Sequence, residues 1–125
     1  FNICELQKAL GKRDVYTCIK IANYFTANPK SNPIQVTMAM LYTYFTKILL
    51  YHSLNDKSRN AVAVALKVNT FFVDDYFTAG KNYSPENVEK NISLLREFDL
   101  KSKGVGASTL GNEDYMKEFV YKLIH

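Results

Sequence analysis

The apolar residues of this 125-residue chain recur at helical spacing almost from end to end, and this periodicity limits the folds available to it. Val88, Ile92 and Leu95, for example, follow one another at intervals of four and three residues, which places them on one face of an α-helix. Strict alternation of apolar and polar residues between turn pairs, the mark of β-strands, is absent. The sequence therefore predicts an all-α fold, a single compact bundle of about six or seven helices.

Turn and capping residues divide the chain into seven predicted helices. Gly11 suits the left-handed position that ends the first helix, and Asp14 suits the N-cap of the second. Ser84 and Pro85 form a helix start, because a serine cap is followed by proline in the first turn. No long Gly/Pro/Ser linker is present, so residues 1–125 are predicted to be one domain. The predicted helices cover about Ile3 to Leu10, Val15 to Phe25, Pro33 to Ser53, Arg59 to Lys67, Thr70 to Lys81, Pro85 to Lys103 and Tyr115 to Ile124.

The third predicted helix has an unusually wide apolar arc. At 100° per residue its apolar positions span roughly 180°, against the ~100° stripe of an ordinary surface helix. Such an arc needs neighbours on two sides, which other helices of the chain or another protein could supply. The chain also has nine tyrosines and eight phenylalanines, and tyrosine is favoured at interfaces because its hydroxyl can stay hydrated. Met40, Tyr44 and Tyr51 of this helix are therefore predicted subunit-interface residues, and Tyr42, Tyr83 and Tyr121 are further candidates.

Composition indicates a cytoplasmic protein. The net charge of +4 is dispersed over the chain, whereas nucleic-acid binding usually needs a clustered basic stripe. The longest apolar stretch, Met38 to Leu54, is too often interrupted to provide the ~18 residues of a membrane span, so no membrane contact is expected.

The first residue is not methionine and no signal peptide follows, which suggests a fragment whose N-terminal part was removed. Cys4 and Cys18 form no CxxC motif, and we expect both to be buried.

The sequence shows no constellation that supports catalysis. No GxxxxGK[ST] phosphate loop is present, so no ATP site and no other cofactor is expected. His52 lies on the apolar face of a helix, which is typical of a core or interface histidine. Asp74 and Asp75 are adjacent and point about 100° apart on a helix, so they cannot converge on one substrate atom. We expect a non-catalytic domain with no metal and no cofactor.

Asp99 is the carboxylate that most needs an explanation. It follows Val88, Ile92 and Leu95 at an interval that puts it on their apolar stripe, where a charge needs a partner. Lys103 lies four residues further along, within reach of Asp99 and in the last turn of the helix. The pattern favours a structural ion pair between Asp99 and Lys103 over a general base.

Residues 60–79 permit a DNA-binding alternative. Two short helices joined by a polar turn resemble a helix-turn-helix motif, with residues 70–78 as the recognition helix. That helix contains Asp74 and Asp75 and no Arg or Lys, so it would repel the phosphates that supply most of the affinity for DNA. A helix-turn-helix regulator nevertheless stays open as the second interpretation.

Three groups of residues resemble a known family. They are Ala9-Leu10-Gly11-Lys12-Arg13-Asp14 before the second helix, Ala27-Asn28-Pro29 with Asn32-Pro33 before the third, and Leu95 to Gly104, which reads LREFDLKSKG, at the end of the sixth. Together they look like the C-terminal domain of the delta subunit of bacterial DNA polymerase III, of the Bacteroidetes type. The resemblance covers essentially the whole chain, and Thr70 departs from it because many relatives have proline there.

The resemblance implies a role as a collar domain of the clamp loader. In that family the helical C-terminal domains of five subunits pack in a ring and hold the complex together. The partners implied for this domain are delta prime and the gamma/tau subunits. The sliding clamp and DNA would be bound through the preceding AAA+-like part of the protein, which is absent from this fragment.

Overall fold

A computed structural model describes the chain from residue 1 to 103 and from 113 to 125, with side chains described over 1–101 and 116–125. Over these residues the chain forms seven α-helices and no strand, which confirms the predicted all-α bundle. A 3₁₀ turn at Thr70–Phe72 leads into the fifth helix. The helices are α1 (Ile3–Gly11), α2 (Val15–Ala27), α3 (Ile34–Ser53), α4 (Arg59–Leu66), α5 (Val73–Asn82), α6 (Pro85–Lys103) and α7 (Glu113–Ile124).

Local capping explains where several helices begin. The Asn2 side chain accepts a hydrogen bond from the backbone of Glu5, whose own side chain accepts one from the Asn2 backbone, and this capping box starts α1. Asp14 caps α2 as predicted, accepting from the Thr17 backbone at 3.2 Å and the Thr17 hydroxyl at 2.6 Å. The Thr17 hydrogen bonds hold the pKa of Asp14 below its usual value. The Ser84 hydroxyl accepts from the Asn87 backbone at 3.1 Å, so the predicted start of α6 is also confirmed.

The predicted end of α1 at Gly11 is wrong in its detail. Gly11 is helical and buried, Lys12 is the C-cap, and the left-handed residue is Arg13, with φ 54°. A non-glycine residue in this conformation is sterically strained, so surrounding contacts have to hold it. The side chain of Arg13 supplies them, since it donates hydrogen bonds to the Asn82 carbonyl at 2.7 Å, to the Ile124 carbonyl and to the Asn87 side chain.

The bundle is built around two extensive helix pairs. The longest helix, α3, packs chiefly on α6, and α2 packs chiefly on α7. The short helix α1 connects the pairs, because it contacts α2, α3 and α5. The core between them includes Leu10, Ile21, Leu41, Phe45, Ile48, Val88 and Leu123, all of which have no measurable solvent exposure. The helices that pack on α3 thus determine which side of α3 stays accessible to another protein.

Candidate subunit interface

The wide apolar arc of α3 is buried largely within the bundle. Leu41, Phe45 and Ile48 are fully buried, and α3 contacts α6, α4, α5 and α1. The two neighbours that the arc requires are therefore helices of this chain. What the bundle leaves uncovered is the side of α3 that points away from all of these helices.

We call this uncovered side the outer face of α3. Its largest apolar residues are Val36, Met40 and Leu50, which are 53%, 41% and 41% exposed. Gln35, Ala39, Thr43 and Thr46 are also exposed, and the one Lys, Arg, Asp or Glu of α3 is the half-buried Lys47, whose helical position lies between those of Val36 and Met40. The face therefore combines exposed apolar and neutral polar side chains with a single charge, and charged residues are depleted at the centre of a protein interface.

A groove extends this face towards α6. It has a volume of about 550 Å³, and Ala39 and Thr43 of the outer face are part of its wall. Tyr42 and Met38 of α3 line it on one side, and Leu95, Phe98, Asp99 and Leu100 of α6 are among the residues on the other. Leu100 is 73% exposed. Face and groove together form one continuous, mostly apolar surface.

Of the three predicted interface residues on α3, only Met40 belongs to this surface. Tyr44 is a core residue instead, since it is 3% exposed and its ring packs against Phe45 and Tyr76 at centroid distances of 5.4 and 5.5 Å. Burial raises the pKa of the Tyr44 hydroxyl well above its usual value. Tyr44 can be buried in the core because Gly11 of α1 has no side chain and leaves room for the hydroxyl end of the Tyr44 ring.

Tyr51 is half-buried and makes its contacts within the chain. Its ring lies against Gly80 of α5, so closely that a Cβ at position 80 would approach the ring to 2.4 Å. Phe77 packs on the same ring at a centroid distance of 5.9 Å, and the Lys57 ammonium lies 5.5 Å from the ring centre. Tyr51 thus joins α3 to α5 and is not on the outer face.

The other candidate tyrosines differ widely in exposure. Tyr83 is fully buried and donates a 2.5 Å hydrogen bond to the Leu10 carbonyl, with the Arg13 guanidinium 4.2 Å from its ring centre. Tyr42 is half-buried in the groove, and Tyr121 on α7 is 52% exposed. A sequence count of tyrosines could not distinguish these environments.

Sequence reasoning missed Val36 and Leu50. Both lie outside the 180° arc of α3, on the side expected to be polar, and each is an apolar residue there. Apolar residues on the side of a helix opposite its buried arc were the available signal. In the structure both side chains are exposed, so they add apolar area to the outer face of α3.

Asp99 is not on the buried stripe of α6, contrary to the expectation. The stripe passes from Leu95 to Phe98, which are both 3% exposed, and leaves Asp99 exposed at the rim of the groove. Spacings of three and four residues fit equally well after Leu95, so spacing alone could not choose between positions 98 and 99. The predicted pairing with Lys103 lies outside the described side chains.

Two further sequence expectations concern the cysteines and His52. Cys18 is buried as expected, and burial raises the pKa of its thiol to about 12. Cys4 is exposed, which corrects the expectation, because it lies on the outer side of the first turn of α1. His52 is half-buried with its Nε2 at 2.7 Å from the Tyr83 carbonyl oxygen, so it links α3 to the start of α6.

The helix-turn-helix alternative gains no support from the geometry. The helix that would read DNA is α5, and its first turn carries Asp74 and Asp75. Asp74 forms an exposed ion pair with Arg59 of α4 at 2.7 Å, so a cation near this helix is already engaged by a carboxylate.

Within the described side chains, no group of three acidic, histidine or cysteine residues is arranged to hold a metal ion. None of the described helices is long and apolar enough to cross a membrane.

The chain matches no model of a known protein family, no curated protein and no solved structure.

Proposed function

We propose that this chain is a subunit-assembly domain, the collar domain of the delta subunit of a bacterial DNA polymerase III clamp loader. The observation that carries the proposal is the outer face of α3 with its adjoining groove, a largely apolar surface on the longest helix of the bundle. Its charged residues are Lys47 of α3 and Arg96 and Asp99 at the groove. The sequence resemblance supports the choice of complex. It implies that delta prime and the gamma/tau subunits are the partners and that the domain acts without catalysis.

The composition around α3 favours a protein partner over nucleic acid. Residues 15–55, which include all of α2 and α3, contain no acidic residue and only three lysines. Carboxylates, which disfavour burial in a protein interface, are therefore absent from this segment. The three lysines are too few to form the basic stripe that DNA binding would need. Burying the exposed half of a valine or methionine side chain contributes about 1 kcal/mol. A contact of this kind is modest by itself and becomes effective when several subunits share a ring and are held at high effective concentration.

Charge placed on the outer face of α3 tests the proposal. In the full-length protein, Val36→Glu combined with Met40→Glu would bury two uncompensated carboxylates at the interface. We expect the apparent Kd for the complex with delta prime and the gamma/tau subunits, measured by analytical ultracentrifugation, to rise by at least about tenfold. Circular dichroism should show an unchanged helical content, because both side chains are exposed.

Val64→Glu is the matched control. Val64 is 78% exposed and lies on α4, so the substitution adds one carboxylate, half the charge of the double variant, to the exposed surface of a different helix. It should leave assembly unchanged. If the double variant assembled as well as the Val64→Glu control, or if deletion of residues 1–125 left the five-subunit complex intact on gel filtration, the assembly function would be refuted.

A further inference from the structure

A second exposed surface lies where α2 and α6 flank α7, apart from the outer face of α3. Its centre is Tyr121, which is 52% exposed and lines two separate hollows. The hollow towards α2 has a volume of about 480 Å³ and includes Val15 and Ile19. The hollow towards α6 has a volume of about 290 Å³ and includes Leu94. An exposed aromatic ridge between two apolar hollows can engage side chains from one partner element on both sides.

The rim of this Tyr121 surface is basic. Lys90, Lys117 and Lys122 are exposed at the hollows, where the residues that line them include one carboxylate, Glu118. The two ion pairs found among the described side chains, Arg59–Asp74 and Glu97–Lys101, do not involve these three lysines. Desolvation of the Lys90 ammonium lowers its pKa, and the nearby Arg13 charge lowers it further. The surface therefore favours a negatively charged partner.

The end of α7 is held rigidly by side chains from other elements. The carbonyls of its last residues, which an isolated helix leaves without partners, accept hydrogen bonds from α6 and from the turn before α2. Lys90 donates to the Lys122 carbonyl at 3.2 Å, Asn91 donates to the Leu123 carbonyl at 2.8 Å, and Arg13 donates to the Ile124 carbonyl. The Tyr121 ring also stacks on the His125 ring at 4.1 Å. A surface fixed in this way loses little conformational entropy when a partner binds.

We propose that the Tyr121 surface is a docking site for an acidic amphipathic helix of another protein. Apolar side chains one turn apart on that helix occupy the two hollows, and its carboxylates face Lys117 and Lys122. A second copy of this chain is disfavoured, because a symmetric contact would bring the lysines of both copies together. Nucleic acid is disfavoured because the Tyr121 and His125 rings form a single stacked pair and the apolar remainder of the hollows, Val15, Ile19 and Leu94, is aliphatic. Single-stranded nucleic acid stacks its successive bases on several aromatic side chains. The proposal is independent of the function assigned to the outer face of α3.

A designed peptide provides the test. The probe is a fluorescein-labelled helix about five turns long with leucines along one stripe and glutamates beside it, and its control has lysine in place of every glutamate. Fluorescence anisotropy with the full-length protein should show binding of the acidic peptide that weakens as salt is raised. Tyr121→Ala, and separately Lys117→Glu with Lys122→Glu, should each weaken binding by at least about tenfold. The lysine peptide should not bind.

Matched substitutions elsewhere control for general effects. Phe71→Ala removes an aromatic side chain that is 81% exposed, and Lys30→Glu with Lys81→Glu reverses two exposed lysines far from α7 in sequence. Both should leave binding unchanged. Absence of acidic-peptide binding, or equal binding by the Tyr121 and control variants, would overturn the proposal. Competition by a single-stranded oligonucleotide that depends on Tyr121, or self-association of the protein that Tyr121→Ala abolishes, would overturn it in favour of those occupants.

Discussion

Replacing Gly11 by alanine tests the packing that makes Tyr44 a core residue. Gly11 is the last residue of α1 and is buried. A Cβ at this position would lie 2.7 Å from the Tyr44 hydroxyl and 3.3 Å from the Ala79 Cβ, and the first distance is below any normal contact. The Tyr44 ring is confined between Phe45 and Tyr76, so it cannot turn away without disturbing the core.

Two effects of opposite sign determine the result. Alanine is favoured over glycine within a helix by up to about 1 kcal/mol, whereas overpacking a core costs about 1–3 kcal/mol. We therefore expect Gly11→Ala to lower the free energy of unfolding by about 1 kcal/mol. Tyr44→Phe removes the obstructing oxygen, a buried hydroxyl without a hydrogen-bond partner among the described residues. In the Tyr44→Phe background, Gly11→Ala should be neutral or stabilising.

Urea denaturation followed by circular dichroism of the two single variants, the double variant and the parent completes a double-mutant cycle. The expected coupling energy between positions 11 and 44 is about 1–2 kcal/mol. If Gly11→Ala had the same effect in both backgrounds, within about 0.5 kcal/mol, the Tyr44 hydroxyl would not lie against Gly11. In that case the assignment of Tyr44 to the core, in place of the interface, would lose its basis.

Three other substitutions or measurements follow from the structure. Asp99→Ala should change the free energy of unfolding by less than about 1 kcal/mol because Asp99 is exposed, whereas Phe98→Ala should lower it by about 3–5 kcal/mol because Phe98 is buried. Thermal melts in which Asp99→Ala was the more destabilising variant would place Asp99 on the buried stripe. At pH 8 a thiol reagent should label the exposed Cys4 at once and Cys18 only after unfolding, because burial raises the pKa of Cys18 to about 12 and keeps its thiol protonated. Labelling of both cysteines in the folded protein would contradict this prediction. Arg13→Ala should be less stable than Arg13→Gly by about 1 kcal/mol, since both lose the guanidinium and only glycine tolerates φ 54° without strain; equal stability would show that the strain is negligible.

Most of the fold could be predicted from local sequence patterns. Helix positions follow from apolar spacing and from caps such as Asp14 and Ser84, which act on the backbone within three residues. The left-handed positions after α1 and α4 could not be predicted in this way. Arg13 and Lys67 occupy them at φ 54° and 56°, although glycine is the usual residue. At Arg13 the compensating contacts come from α5, α6 and α7, and a local pattern contains no information about them.

Of the three interface residues predicted on α3, the structure leaves Met40 exposed and covers Tyr44 and Tyr51 to different degrees. An apolar arc shows which side of α3 is buried, yet it cannot show which part of the arc the neighbouring helices cover. Tyr44 and Tyr51 are covered because α1 and α5 approach through Gly11 and Gly80. Met40 lies at the edge of the arc and stays 41% exposed.

The sequence by itself determined that the chain is helical, where most of its helices begin and end, and that α3 needs neighbours on two sides. These properties depend on interactions between residues three or four positions apart, which any helical segment expresses in its own sequence. Only the tertiary structure decided that the outer face of α3 is uncovered, that Asp99 is exposed and that Tyr121 stands between two hollows. Those features depend on how closely two helices approach, and a glycine or a single side chain on a distant helix sets that distance.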